Sequence, residues 1–343
     1  MKNFAIQVCP AVALCLLALP AMAQSCLGDL NADRTVTGAD LGILLGQWGQ
    51  TGSGDLNGDG IVGGADLGLL LGVWGACPPV TVPSWATLVE AMPDPMVVTD
   101  VTLRAAISAS GLAWRVRDTA TQMEMLLVPA GTFTMGCTAS NQYGCDGNEN
   151  PTHSVTLTQS FYMGRYEVTQ GQWVAKMGFN PSLWQSYGDS ASRPVERVSW
   201  NTIQGYLSAT GMRLPSEAEW EYACRAGTTT AFNNGSSDDA TVGTIAWYGS
   251  NSGSRTHAVG GKAANALGLH DMLGNVCEWV NDRFTGYSSG AQTNPTGPTS
   301  GLDRVLRGGS WDLISNFVRS SYRDGNSPGN AEWTNGFRVA RNL

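Results

Sequence analysis

The chain has 343 residues, of which only 14% are charged and 42% apolar, with 43 Gly and 12 Trp. That excludes a disordered polymer and a coiled coil, which need abundant charge or long Ala/Glu/Lys/Leu/Arg runs. A formal net charge of −8 with no basic block excludes nucleic acid and anionic membranes as partners.

Lys2 is followed by an apolar stretch over 4–19, then Pro20 and Ala21-Met22-Ala23. This is the pattern of a secretory signal cleaved after Ala23, so the protein is expected to be secreted, periplasmic or at the cell surface. The stretch is too short for a comfortable span and no second apolar run follows, so no membrane span is expected. The cysteines beyond the signal are Cys26, Cys77, Cys137, Cys145, Cys224 and Cys277. An even number in an exported chain favours disulfides.

Residues 28–49 (GDLNADRTVTGADLGILLGQWG) and 54–75 (GDLNGDGIVGGADLGLLLGVWG) are two copies of one repeat. Asp29, Asn31, Asp33 and Asp40 occupy loop positions 1, 3, 5 and 12, as do Asp55, Asn57, Asp59 and Asp66. The backbone carbonyls of Thr35 and Ile61 fall at position 7. A hard divalent cation takes six to eight oxygens, and this spacing wraps one loop around calcium. Gly60 supplies the sharp turn at position 6, where the first copy has Arg34. Without the cation the carboxylates of each loop crowd together, so metal binding and folding are expected to be coupled. Cys26 and Cys77 flank the repeat; a bridge between them would contribute roughly 4 kcal/mol in the chain-entropy model. The region resembles a type I dockerin, which implies a small all-α EF-hand-type module over 24–77 and a cohesin-type partner. It departs from that pattern at position 12, which is Asp rather than Glu. It also departs at positions 10 and 11, where Gly38-Ala39 and Gly64-Ala65 replace the usual hydroxyl residues.

Pro78, Pro79 and Pro83 mark a boundary, and 78–122 reads as a linker and lead-in. Short helices are expected over 84–92 and 100–110, and a strand pair within 113–128. The large domain, 123–343, has three helices with readable ends. Thr169 with Gln172 forms a capping box and Gly178 ends that helix. Ser199 caps a helix from Trp200 to about residue 209, and Ser216 with Glu219 opens a third, ended by Gly227. Strands and loops dominate thereafter. Glu217, Glu219 and Glu221 read as a solvated helix start. His153, His257 and His270 lack metal spacing, and His270 is expected to replace an aromatic in a packed turn.

Seven ordered motifs punctuate this domain: PAGTFTMG (129–136), YEVTQGQW (166–173), RPVERVSW (193–200), RLPSEAEWEYACRAGT (213–228), LGLHDMLGNVCEW (267–279), VLRGGSW (305–311) and NGFRVA (335–340). Together they resemble the formylglycine-generating enzyme, or sulfatase-modifying factor, family. The resemblance implies an α+β, C-type-lectin-like fold with little regular secondary structure. Enzymes of that family oxidise a sulfatase cysteine using copper held by two thiolates, two and seven residues past the Trp of GGSW. Those positions are Leu313 and Val318 here, which cannot hold Cu(I). No copper is therefore expected and no catalytic residue is named. The resemblance also implies a calcium site from the carboxylates of Asp271 and Glu278 and the carbonyls of Gly274 and Val276. Cys224 resembles a family cysteine whose usual partner position is Val339 here, which leaves Cys277 for it. Cys137 and Cys145 can close a small loop, and four cysteines allow three connectivities.

The reading is a secreted, calcium-binding interaction or scaffold protein of pseudoenzyme type, with an unknown protein or glycan ligand. One alternative is a formylglycine-generating oxidoreductase or another activity of that family. The other is a variable lectin-fold binder, because some such proteins end in a similar GGSW-to-GFR segment; its ligand surface would include Ser310, Trp311, Asp312, Asn316, Asn326 and Asn330.

Overall fold

Apolar side chains gather in two separate clusters in the computed structural model, which describes residues 28–31, 33–77, 79–139 and 142–343. The signal segment and Cys26 lie outside the described residues. The smaller cluster holds Val36, Leu44, Leu56, Val62 and Leu70. It forms between helices Gly38–Gly46 and Gly64–Gly72, while strands Thr35–Val36 and Gly75–Ala76 pair antiparallel beside it. In each copy the Asp at loop position 12 is also the third residue of the helix. Asp40 accepts the Thr37 N–H at 2.8 Å and Asp66 the Gly63 N–H at 2.7 Å, so one carboxylate closes the loop and caps the helix.

The larger cluster extends from Val98 to Ala340. At its centre Trp173 stacks on Tyr206 with centroids 5.5 Å apart, and Phe337 meets both edge-on, an arrangement favoured by the ring quadrupoles. A five-stranded antiparallel sheet runs Ala340–Arg341, Phe161–Gly164, Glu124–Val128, Arg115–Asp118 and Ala86–Glu90. The strand pair expected within 113–128 is the third and fourth of these. The helix expected over 84–92 is instead the edge strand Ala86–Glu90, paired with Arg115–Asp118 from Ala86↔Asp118 onward. A neighbouring strand edge offered ladder hydrogen bonds that outweighed a weak local preference. The helix expected over 100–110 forms as Val101–Ala109, capped by Asp100. Val98, Ile107, Trp114 and Val116 from this lead-in are buried in the large core.

The three capped helices form as Gln170–Met177, Trp200–Thr210 and Glu217–Arg225, the first two ended by left-handed Gly178 and Gly211. The third ends one residue early, at left-handed Ala226. The expectation of a solvated start to this helix is corrected. Glu217 and Glu221 are one turn apart and share its buried face. Arg323 bonds Glu217 at 2.7 and 2.6 Å, while Arg225 (2.9 Å) and Arg307 bond Glu221. Only Glu219 stays on the outer side, held by Arg213. The second sheet, Arg323–Asn326, Arg304–Arg307, Cys277–Arg283 and Asn335–Phe337, is antiparallel except for its last, parallel pair. Its strand ends carry the GGSW, NVCEW and NGFR motifs. No helix among the described residues is long and apolar enough to cross a membrane.

Candidate functional site

Past strand Arg304–Arg307, Gly308 and Gly309 turn the chain with φ of 87° and 70°. A Cβ at Gly309 would lie 2.1 Å from the Phe317 carbonyl oxygen, so only glycine fits there. The turn delivers Ser310, Trp311 and Asp312 to one end of the sheet. The Ser310 hydroxyl donates to Asp312 Oδ1 at 2.6 Å. Trp311 is buried, edge-on to Trp184, and donates its indole N–H to the Trp333 carbonyl at 3.3 Å.

Asp312 opens on a cavity of about 720 Å³, lined also by Leu183, Arg197, Glu332, Trp333 and Thr334. Trp333 and Leu183 are exposed, so the cavity offers an aromatic and an aliphatic wall between a guanidinium and two carboxylates. Behind it, Cys277 starts the central strand and its thiol meets the Ser310 hydroxyl. Burial pushes this thiol up to about 12; the Ser310 contact opposes the rise and Asp312, Asp324 and Glu332 add to it. It is therefore a neutral thiol at ordinary pH, not a nucleophile.

Of the six surface residues expected, Asp312 lines the cavity and Ser310 and Trp311 support it. Asn316 is turned inward, accepting from Arg319 Nε at 3.1 Å. Asn330 donates to Asn326 at 2.6 Å, and Asn326 donates to Glu332 at 3.2 Å, at its rim. Leu313 is half-buried and Val318 fully buried. Sequence reading missed Leu183, Arg197, Glu332 and Trp333. Trp333 alone carried a local signal, an aromatic within a polar stretch.

The second group surrounds the turn after His270. Asp271 has φ 53° and accepts the Gly260 N–H at 2.6 Å through Oδ2, while its buried Oδ1 has no partner among the described residues. Burial pushes this carboxyl up to about 6, Gly260 and Arg338 opposing and Glu278 adding. Glu278 is closed by Arg338, at 2.8–3.1 Å, and by the Trp220 indole N–H at 2.7 Å. Glu167, not foreseen, joins them. It is fully buried, bonded by Asn275 Nδ2 at 2.7 Å and Val276 N–H at 3.1 Å. Burial, then Asp271 and Glu278, push it well above the usual carboxylate range. Three buried carboxylates thus face the charge of Arg338, with Lys262 acting on Asp271 from further out, and a cation at Asp271 Oδ1 would fit that imbalance. His270, as expected, packs in this turn against Tyr166.

In the repeat, carboxylate oxygens of Asp29, Asp33 and Asp40 lie within 4.8 Å of one another. Burial and then the charges of Asp40 and Asp33 raise Asp29, against the N–H groups of Arg34 and Asp33. Arg34 takes the left-handed backbone (φ 68°) that Gly60 takes (φ 95°) in the second copy. Asp55 likewise accepts the N–H groups of Gly58 and Gly60, each at 2.8 Å. Asp66 accepts those of Leu56 and Asn57 at 2.7 and 2.9 Å. Asn31 and Asn57 donate to Asp33 and Asp59, each at 2.9 Å. Thr35 and Ile61, expected to offer backbone carbonyls, donate their N–H groups to Asp33 and Asp59 at 2.9 and 3.0 Å. Among the described residues Asp55, Asp59 and Asp66 are not drawn together as the first loop's acids are.

Cys137 and Cys145 are bonded to each other, and Cys77 is disulfide-bonded. The pairing of Cys224 with Cys277 is corrected: both are buried free thiols. Cys224 lies on the Glu217–Arg225 helix beside Asn233 and Ser320, whereas Cys277 points to Ser310. Thiol labelling of the native protein should leave both unmodified. Labelling after unfolding without reductant should mark Cys224 and Cys277 and neither Cys137 nor Cys145; a cross-linked Cys224–Cys277 peptide pair would reject this assignment.

Residues 113–343 match the model of the sulfatase-modifying factor enzyme 1-like domain. The chain is 31% identical to the formylglycine-generating enzyme of Mus musculus over 281 residues, covering 63% of this chain and 74% of that protein. It is 32% identical to the serine/threonine-protein kinase pkn1 of Chlamydia caviae over 247 residues, 64% of this chain; it spans only 38% of that kinase's length. The solved structure of Treponema denticola variable protein 1 superposes with a TM-score of 0.59 at 30% identity, covering 64% of this chain and 95% of that one.

Proposed function

Because the chain belongs to the sulfatase-modifying factor enzyme 1-like family, we propose that its large domain is a ligand-binding scaffold of that fold rather than a formylglycine-generating oxidase. The observation that carries this reading is Leu313 and Val318 at the positions of the family's copper thiolates, next to a cavity that keeps Trp333, Arg197, Asp312 and Glu332 as recognition groups. Its ligand is a protein segment or a glycan, since aromatic walls with paired charges suit both. Residues 24–77 act as a dockerin-like calcium module in an exported protein. The buried Asp271 Oδ1, without a partner among the described residues, supports a further calcium, in the large domain, with the carbonyls of Gly274 and Val276, while Arg338 keeps Glu278 as a supporting group.

A protein and glycan array probed in calcium tests the scaffold role. Binding that survives Trp333→Ala with Asp312→Ala would place the ligand elsewhere. The oxidase alternative rests on the formylglycine-generating relatives. Incubated with copper and oxygen, the protein should leave a sulfatase-type cysteine peptide unmodified. A mass loss matching thiol-to-aldehyde conversion would overturn the scaffold reading.

A further inference from the structure

A second pocket, of about 340 Å³, lies between the Glu217–Arg225 helix, strand His153–Leu157 and the loop over 284–298. It shares no lining residue with the Asp312 cavity. Asp282, 4% exposed, forms part of its floor. Asp282 Oδ2 accepts the Glu217 N–H at 2.9 Å. Oδ1 has no hydrogen-bond partner among the described residues. Arg304 is close enough to couple to Asp282 but donates to the Asn281 carbonyl and lies over the Trp200 ring, and the nearer guanidinium groups are held by glutamates. Arg323 is bidentate on Glu217, and Arg307 is committed to Glu221. Gly297 packs against this carboxylate, where a Cβ would come within 2.8 Å of Asp282 Cβ and 2.9 Å of Oδ1, so the missing side chain is what lets the loop over 284–298 approach it and form the pocket wall. The walls combine Met135, Pro295, Pro298 and the Tyr287 and His153 rings, which pack with centroids 4.9 Å apart, with the ion-paired Glu217 and Arg323, whose guanidinium lies 4.1 Å from the Tyr287 ring centre.

A buried carboxylate without a counter-ion is costly, and a ligand that brings the missing positive charge removes that cost. We propose that this pocket binds a small organic amine, its ammonium on Asp282 Oδ1 and its hydrocarbon part against Tyr287, His153 and the two prolines. The charged groups facing Asp282 agree with this. Burial, then Glu217 and Glu219, push its carboxyl up to about 7, and Arg323 offsets this in part. Arg283, at the rim, has Nη1 turned to the Gly301 carbonyl. Amine affinity should therefore rise with pH as Asp282 ionises, falling about tenfold or more between pH 8.5 and pH 5.5.

The test is saturation-transfer NMR on the full chain with cyclohexylamine, and with cyclohexanol and methyl α-glucoside as neutral probes. Cyclohexylamine should bind at pH 8.5 and the neutral probes should not. Asp282→Asn, which still accepts the Glu217 N–H, should weaken the amine about tenfold or more. Thr296→Trp, an exposed rim position that leaves the floor untouched, should block it. Absence of amine binding, equal binding of cyclohexanol or the glucoside, or amine binding indifferent to both variants would overturn the proposal.

Discussion

Arg307→Met should lower the unfolding free energy by about 3–5 kcal/mol, the usual loss when one partner of a buried ion pair is removed. Its guanidinium is fully buried, bonded to Glu221 and to the carbonyls of Ser321 (2.7 Å), Ser320 (3.1 Å) and Tyr322. Methionine fills the space but leaves those oxygens without this donor, and Glu221 keeps only Arg225 as a charged partner beside the Gly136 N–H. Glu219→Gln, on the outer side of the same helix, should cost about 1 kcal/mol or less. The network also sets a pH dependence. Burial pushes Glu217 up, but Arg323 and Arg307 outweigh it and hold the carboxyl below its ordinary value. Its contribution is thus present above the ordinary carboxylate range and lost as pH falls through the lower folded value. Urea unfolding of both variants, with the parent followed from pH 7 down to 3, measures this. A loss under about 1 kcal/mol for Arg307→Met would mean that the arginine contributes shape and little charge.

Calcium at about a hundredfold above its dissociation constant should stabilise the repeat by about 2.7 kcal/mol, because a ligand bound only by the folded form shifts the equilibrium by mass action. The motive is the meeting of three carboxylates in the first loop and the same spacing in the second. Asp29→Asn with Asp55→Asn keeps acceptors for the N–H groups of Arg34 and Gly60 but removes one charge per loop. It should abolish most of the calcium effect without unfolding the chain. Titration followed by circular dichroism and calorimetry checks both arms. A curve indifferent to calcium and chelator would leave the loops as hydrogen-bonded Asx turns and withdraw the metal.

What was legible in the sequence was local or motif-borne. Thr169, Ser199 and Ser216 announced their helices because a cap needs one side chain and the N–H two or three residues on. Cys137 and Cys145 were close enough to pair. The GGSW and NGFR motifs marked the strand ends around Asp312. Only the tertiary structure decided what depends on distant partners. Ala86–Glu90 became a strand because Arg115–Asp118 was there to pair with it. Glu217 and Glu221 became buried because Arg307 and Arg323, some 86 and 106 residues away, came to meet them. The thiols of Cys224 and Cys277 remained apart because the helix and the strand that carry them present them to different neighbours, Ser320 and Ser310. Leu183 and Arg197 reached Asp312, and Asp282 reached the underside of Gly297, by chain crossings that no periodicity records. Capping and loop spacing act over a few residues and leave a pattern; charge compensation and cavity lining act across the fold, where chain separation erases it.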